Sequence, residues 1–350
     1  MEELARWPVI AREPQAAAWL ADLVRRGLAS NTVTAYARGV SEYLERCHHQ
    51  GVDPLAATRA DVASYVRELT SRPSRRGSGG ESDDPPAGLA NATLRQRLVA
   101  VRLFYDFLID EGVRPTNPVG RGRYTPGKPF MGSQPRPLVP RLTKLPWIPS
   151  AEEWEAILRV VKAEPLRNRL MLAFAYDAAL RREELCSLRT DDLDPAHRTL
   201  RIRAETTKTR RERVVPYSAS TGVLLQRYLV WRRELTTARG PLFLSESRRN
   251  RGQPISLWTW SKVVQRLAQQ ADVPRFTTHT LRHLCLTDLA RGGWELHLLA
   301  SFAGHRSTSS TLQYIHLSGR DLSAKLAAGL ADLHAQRSRS LAPDDGTVSL

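Results

Sequence analysis

Basic and imidazole side chains precede one tyrosine in the last third of this sequence, at spacings that suit chemistry on phosphate. His279 and Arg282 lie three residues apart, so on a helix both project from one face. Gly304 and His305 follow, and Tyr314 comes nine residues after His305. A guanidinium presents donors matched to two phosphate oxygens, and a phenol can attack phosphorus to leave a covalent phosphotyrosine. The pattern predicts a site for cutting and rejoining a phosphodiester, with Tyr314 as nucleophile.

Two further basic residues lie upstream and complete the predicted site. Arg181 would join Arg282 in a clamp on the non-bridging oxygens, where negative charge grows in the transition state. The chain has only 6 lysines among its 52 basic residues. Lysine can give up a proton, whereas arginine stays charged. We therefore expect Lys208 to protonate the departing 5′ oxygen; the alternative is a solvated hairpin tip.

The histidines have two interpretations. An imidazole titrates near neutrality, which suits His279 and His305 to proton transfer, but a single histidine is more often a core residue. His279 and His283 also have a zinc-like spacing, although the metalloprotease motif needs a glutamate where Thr280 stands. We expect His283 to be either a packing residue or a residue that supports the groups touching the phosphate, and we expect neither a metal nor a cofactor.

Nine tyrosines compete for the role of nucleophile. Tyr36, Tyr43, Tyr65 and Tyr105 fall on helical patterns, where an aromatic residue usually belongs to a core. Only Tyr314 follows a Gly-His pair at short range. It is therefore the predicted attacking group.

Composition favours a polyanionic partner. The formal net charge is +16, the sequence pI is about 10.4, and 41% of residues are hydrophobic. Cationic contacts with phosphates release counterions, so we expect a nucleic acid as partner of a folded, two-domain protein; the alternative is a surface kept soluble by its charge. The 3 cysteines form no CxxC pair, the N-terminus lacks a signal-peptide pattern, and no apolar run is long enough to span a bilayer. These features predict a cytoplasmic protein that does not enter a membrane.

Periodicity predicts a mainly α fold with a small antiparallel β-hairpin. Residues 1–120 read as a helical bundle with cap-like Ser30, Asn31 and Thr32 and a flexible insert at 71–88. A basic linker covers 121–147, a mixed α/β domain 148–334, and a flexible tail 335–350. Four further features belong to the second domain: a capping box at Ser150 and Glu153, strands at 199–203 and 213–216, and Lys208 near the turn between them.

In order and spacing these motifs resemble the tyrosine recombinases of the phage-integrase family. The matching positions are Arg181 with Glu184 and Leu185, Lys208 before Arg213 to Pro216, His279 to His283, Gly304 with His305, and Tyr314 before His316. Asn31, Thr32 and Tyr36, with residues 117–119, resemble the family's helical core-DNA-binding domain. Two positions depart from the pattern: Ala179 stands where the family usually has glycine, and Ala303 where it usually has leucine.

The resemblance implies a site-specific recombinase whose two domains clamp duplex DNA. It implies catalysis by Arg181, Lys208, His279, Arg282, His305 and Tyr314, through a 3′-phosphotyrosyl link and strand exchange in a homo-tetramer. The role would be integration, excision or transposition of a DNA element, with an accessory excision factor as a further partner, in a bacterial nucleoid. Two alternatives stay open: a type IB topoisomerase, which uses a similar site, and a DNA-binding regulator without activity.

Overall fold

The chain forms two compact units, Met1–Thr143 and Lys144–Leu350. A computed structural model describes residues 2–72, 88–120, 138–139 and 145–317. The predicted tail at 335–350, and most of the predicted insert at 71–88 and linker at 121–147, lie outside the described residues. The division between the units falls inside that predicted linker.

The first unit is helical where it is described. Its helices are α1 (Glu2–Ala5), α2 (Pro8–Arg12), α3 (Pro14–Arg25), α4 (Ser30–His49), α5 (Arg59–Ser71) and α6 (Asn91–Asp110). Helices α4 and α6 approach closely at Gly39, where a Cβ would lie 2.9 Å from the Cβ of Ala100. Tyr43, Tyr65 and Tyr105 are buried in this core, as predicted.

The helix starts in the first unit differ from the predicted caps. Ser30 is already the first residue of α4, and Ala29 precedes it without a side-chain cap. A capping box that the sequence analysis did not identify starts α5, where Thr58 and Asp61 bond reciprocally. In the second unit the predicted box is confirmed, because Ser150 accepts from the backbone of Glu153 and Glu153 from that of Ser150.

Eight helices and three short strands make up the second unit within its described part. The helices are α7 (Ala151–Val161), α8 (Leu166–Asp177), α9 (Arg182–Cys186), α10 (Ala219–Leu235), α11 (Leu257–Gln270), α12 (Thr278–Arg291), α13 (Leu296–Ala303) and α14 (Ser309–Leu317). The strands are β1 (Leu193–Asp194), β2 (Thr199–Ile202) and β3 (Arg213–Pro216). They form one antiparallel sheet in the order β1-β2-β3.

The predicted hairpin is confirmed as β2 and β3. Its register pairs Thr199 with Pro216 and Ile202 with Arg213, which leaves Lys208 in the connection. Strand β1 was not predicted, since two residues are too few to show a period. The fold is mainly α with a small antiparallel sheet, in agreement with the prediction.

Helix α8 supplies the centre of the second core. It is buried around most of its circumference, with Arg167 and Asn168 among the buried residues, and it packs against both α10 and α12. The buried end of α8 leads into the turn at Ala179, so the packing of α8 against α12 sets where Arg181 and Arg282 meet. Within the described residues, no helix is long and apolar enough to cross a bilayer.

Candidate active site

Arg282 is the centre of the site. Its side chain is 2% exposed, and its guanidinium donates to the backbone carbonyls of Ala179 and Ala303. Its Nη2 also lies 3.0 Å from Nε2 of His305. Burial, with a smaller effect of Arg181, lowers its pKa to about 10, so it remains charged at neutral pH. One arginine thus joins the turn after α8, helix α12 and the end of α13.

The backbone at Ala179 explains why glycine is usual there. Ala179 has a φ of 46°, in the left-handed region that side chains disfavour. In this conformation the carbonyl of Ala179 accepts a hydrogen bond from Arg282, and the chain continues through one residue to Arg181. The alanine therefore adopts a turn conformation that favours glycine, at the cost of some strain.

Glu184 holds two arginines together, and the sequence analysis did not select it as a site residue. Its carboxylate is buried and accepts from Arg181 Nη1 at 2.7 Å and from Arg213 Nη2 at 2.7 Å. Burial alone would raise its pKa, but the hydrogen bonds and charge of Arg213, then Arg181, prevail and lower that pKa to about 2. Glu184 is therefore a carboxylate at neutral pH that orients both guanidiniums.

Position 304 requires glycine, both because its φ is positive and because there is no room for a side chain. Its φ is 62°, and a Cβ there would lie 2.9 Å from Nη1 of Arg213. Its carbonyl accepts from Arg181 Nη2 at 3.2 Å, while Arg213 Nε donates to Phe302 at 3.0 Å. The Gly-His motif thus supports the arginines through its backbone as well as supplying His305.

His305 and Tyr314 lie side by side with parallel rings. Their ring centroids are 6.2 Å apart at an interplanar angle of 6°. Because Arg282 can only donate, Nε2 of His305 is the acceptor and Nδ1 carries the hydrogen toward Thr311 Oγ1 at 2.8 Å. Burial and then the charge of Arg282 lower the pKa of His305 to about 4, so the ring is neutral at pH 7.

Tyr314 is buried against the same core as Ala179 and Ala303. Its side chain is 1% exposed, and its hydroxyl lies 2.9 Å from Nδ1 of His283. Burial raises the pKa of the phenol, and the positive charges of Arg282 and Arg181 partly oppose that rise. His283 therefore contacts the predicted nucleophile, as the supporting alternative expected from the sequence would.

His279 occupies the first turn of α12 and is exposed at the surface. Its ring meets that of His283 edge to face, with centroids 4.7 Å apart. Partial burial, then Arg282 and Arg181, lower its pKa. Among the described residues, no group of three or more His, Cys, Asp or Glu side chains is placed to hold a metal ion.

Lys208 stands apart from the other five predicted residues. It is exposed in the turn between β2 and β3, and among the described residues it makes no hydrogen bond or ion pair. Thr207 anchors this turn, since its hydroxyl donates to Ala204 at 3.0 Å and accepts from the backbone of Arg211 at 3.1 Å. The structure brings together Arg181, His279, Arg282, His305 and Tyr314, and it leaves Lys208 exposed in the turn.

Comparison with known proteins identifies the family. Residues 150–320 match the phage integrase family, and residues 16–112 match the phage integrase N-terminal SAM-like domain. The chain belongs to the phage integrase family of tyrosine recombinases. It is 28% identical to the tyrosine recombinase XerD of Corynebacterium glutamicum, over 87% of this chain and 93% of that protein. It is 26% identical to XerC of Roseiflexus castenholzii, over 83% and 85% of the two chains.

Solved structures of tyrosine recombinases share the fold. The XerH recombinase bound to its difH substrate matches with a TM-score of 0.63 at 20% identity, covering 84% of this chain and 79% of that one. The Tn1549 transposon integrase bound to transposon end DNA also has a TM-score of 0.63, at 17% identity over 88% and 98% of the two chains. These likenesses agree with the two-domain recombinase architecture predicted from the sequence.

Proposed function

We propose that this chain is a site-specific DNA recombinase that cuts and rejoins strands through a 3′-phosphotyrosyl intermediate. The observation that carries this function is the packing of Tyr314 beside His305 and Arg282 in one buried cluster. A phenol next to phosphate-binding cations is the arrangement that phosphoryl transfer to tyrosine needs. The covalent link conserves the energy of the broken bond, so rejoining needs no ATP.

The residue roles follow from chemistry and position. Arg181 and Arg282 would neutralise the non-bridging oxygens of the scissile phosphate, with His279 and His305 contacting the same group. Lys208 would swing from its exposed turn to protonate the 5′ oxygen as it departs. Tyr314 would attack the phosphorus. Glu184 and Arg213 would hold the clamp in shape without touching the DNA.

The remaining parts of the proposal concern assembly and role. The XerH and Tn1549 structures are complexes with DNA, which supports duplex DNA as the partner of this chain. The helical unit, residues 1–120, would bind the core site, and the basic linker, residues 121–147, would follow the backbone to the catalytic domain, residues 148–334. We further propose a homo-tetramer on paired sites, an accessory excision factor, and action on a mobile element in a bacterial nucleoid.

The relatives favour recombination over the two alternatives, topoisomerase activity and regulation without catalysis. Supercoiled plasmid without a cognate site distinguishes a recombinase from a topoisomerase, because only a topoisomerase would relax it efficiently. Covalent trapping distinguishes a recombinase from a regulator without activity, because such a regulator would form no protein-DNA adduct.

The test first identifies a substrate and then traps the intermediate. Duplexes that bind Tyr314→Phe are selected from a randomised pool, and the selected duplex is nicked near its centre to make a suicide substrate. We expect the wild-type protein to form a covalent adduct at Tyr314, located by mass spectrometry. Tyr314→Phe should form none, while the matched Tyr217→Phe, a buried tyrosine outside the cluster, should react normally. An adduct formed by Tyr314→Phe would refute the proposal.

A further inference from the structure

His283 contacts the atom that the proposed reaction makes the nucleophile. Its Nδ1 lies 2.9 Å from the hydroxyl of Tyr314, and the two ring centroids are 5.7 Å apart. Two other buried tyrosines donate to the backbone, Tyr105 to Pro54 and Tyr228 to Leu242. A carbonyl oxygen cannot keep a proton, whereas an imidazole nitrogen can.

The other two histidines of the cluster do not reach this hydroxyl. Both nitrogens of His305 are engaged, one by Arg282 and the other by Thr311. His279 meets His283 by its ring and makes no hydrogen bond to Tyr314 within the described residues. Of the three imidazoles, His283 alone has a nitrogen at hydrogen-bond distance from the phenol.

The direction of the hydrogen bond follows from burial. The hydroxyl of Tyr314 is enclosed, and a buried O–H needs an acceptor. Nδ1 of His283 is the acceptor that the described residues place there. If Nδ1 carried the ring hydrogen, the phenolic hydrogen would be left without a partner. The neutral ring therefore carries its hydrogen on Nε2.

We propose that His283 is the general base that takes the phenolic proton of Tyr314 during strand cleavage. This inference rests on the proposed recombinase function. As the bond between the phenolic oxygen and phosphorus forms, the O–H bond breaks and its proton goes to Nδ1. The bond from phosphorus to the 5′ oxygen breaks, and the leaving oxygen takes a proton from the general acid. On religation the 5′ hydroxyl gives its proton to the deprotonated general acid and bonds to phosphorus, the bond from phosphorus to the phenolic oxygen breaks, and Nδ1 returns a proton to the phenol.

Surrounding charges govern when His283 can take a proton. On its own helix it faces His279 and Arg282, and from the following elements it faces His305 and Tyr314. Burial, then His279 and Arg282, lower its pKa to about 4, so the DNA-free ring is neutral and ready to accept. A bound phosphate brings negative charge to the arginines, which raises the pKa of a neighbouring imidazole.

The experiment separates proton uptake from simple orientation. His283→Asn places an amide oxygen near the position of Nδ1, so it can accept the hydrogen bond but cannot remove the proton. Single-turnover adduct formation is measured on the selected, nicked duplex between pH 6 and pH 9. We expect His283→Asn to react about 10²–10⁴-fold more slowly at pH 7, with a rate that rises about tenfold per pH unit. The wild-type rate should change much less over this range.

A second measurement and a control keep the inference falsifiable. Fluorotyrosine at position 314 makes the phenol more acidic. It should therefore reduce the difference in the rate of adduct formation between His283→Asn and the wild type, whereas a folding defect would leave that difference unchanged. His297→Asn, an exposed histidine at the start of α13, should match the wild type. Equal rates for His283→Asn and wild type would refute the role of His283, as would a deficit that neither pH nor fluorotyrosine changes. Failure of the wild type to form any adduct would overturn the proposed function as well.

Discussion

The second unit contains two regions of opposite character, a buried cluster around Arg282 and an exposed turn at Lys208. Arg282 is 2% exposed and bonded to two backbone carbonyls, whereas Lys208 is exposed without a partner among the described residues. Both are proposed to act on one phosphodiester. In the proposed reaction, the phosphate clamp would be built before DNA arrives, while the proton donor would be brought in by the encounter.

Preorganisation and mobility suit different tasks. A clamp that is already oriented stabilises charge in the transition state without reorganising. A proton donor must come within hydrogen-bond distance of the departing oxygen, and an ammonium on a flexible stem can move to that position. Substitutions in the cluster should therefore affect both folding and activity, and substitutions in the turn should affect activity alone.

The largest effect is expected for Arg282→Ala. Two buried carbonyls, of Ala179 and Ala303, would lose their donor, at about 1–3 kcal/mol each in the free energy of unfolding. Adduct formation should fall by at least about 10²–10³-fold. Urea denaturation and the suicide-substrate assay measure the two effects, with Arg291→Ala, exposed at the end of the same helix, as control. Wild-type stability in Arg282→Ala would contradict the buried-clamp description.

Lys208→Arg should lose activity without losing stability. Arginine keeps the charge but does not release a proton, so cleavage should slow by about 10²–10⁴-fold. The free energy of unfolding should stay within about 0.5 kcal/mol of wild type, because the residue is exposed. A substrate with sulfur at the bridging 5′ position, whose thiolate leaves without a proton, should restore the rate. Lys262→Arg, also exposed, is the control, and full activity of Lys208→Arg would remove the proposed acid role.

Glu184→Gln tests the cluster through its pH dependence. The carboxylate pKa falls from an ordinary 4.5 to about 2 in the folded protein, which corresponds to about 3 kcal/mol of stabilisation. That stabilisation is fully present above pH 4.5 and is lost as the pH falls from 4.5 toward 2. The stability gap between wild type and Glu184→Gln should therefore be large at pH 7 and shrink at pH 3. Exposed Glu183→Gln should show no such gap, and a gap independent of pH would contradict the ion-pair role.

The smallest effects are expected at the two left-handed positions that flank the clamp. Gly304→Ala should cost about 1–2 kcal/mol for its φ of 62°, with a further cost because the new methyl meets Arg213. Ala179→Gly should change stability by less than about 1 kcal/mol, because relief of strain at φ 46° offsets the added freedom of the unfolded chain. Thermal melts measure both changes in stability. Equal losses of stability at the two positions would contradict the conclusion that position 304 requires glycine and position 179 does not.

Much of the second unit was predictable because its signals are local. The capping box at Ser150 and the β2–β3 hairpin depend on residues close in sequence, and both were confirmed. The helix start at Ser30 was displaced from the expected cap, because its N-cap residue is Ala29, which carries no side-chain signal. Strand β1 is too short to show a period and exists only by pairing with β2.

The candidate site also has a part that the local sequence predicts and a part that it does not. Residue types and spacing selected Arg181, Lys208, His279, Arg282, His305 and Tyr314. Their supporting contacts were not predicted: Glu184 was seen only as part of a motif, Arg213 as a strand residue, and His283 as a packing or supporting residue without a named partner. The contact between Glu184 and Arg213 joins positions 29 residues apart, and that between His283 and Tyr314 joins positions 31 apart.

The sequence by itself determined the chemical groups, their order and the local elements that carry them, since these depend on neighbours within a few residues. Only the tertiary structure decided which groups meet. Arg282 reaches the carbonyl of Ala179 across 103 residues because α8 and α12 bury apolar faces against each other. Helical periodicity can predict each of those faces, but the partner of each, and hence the acceptor at the hydroxyl of Tyr314, follows only from packing.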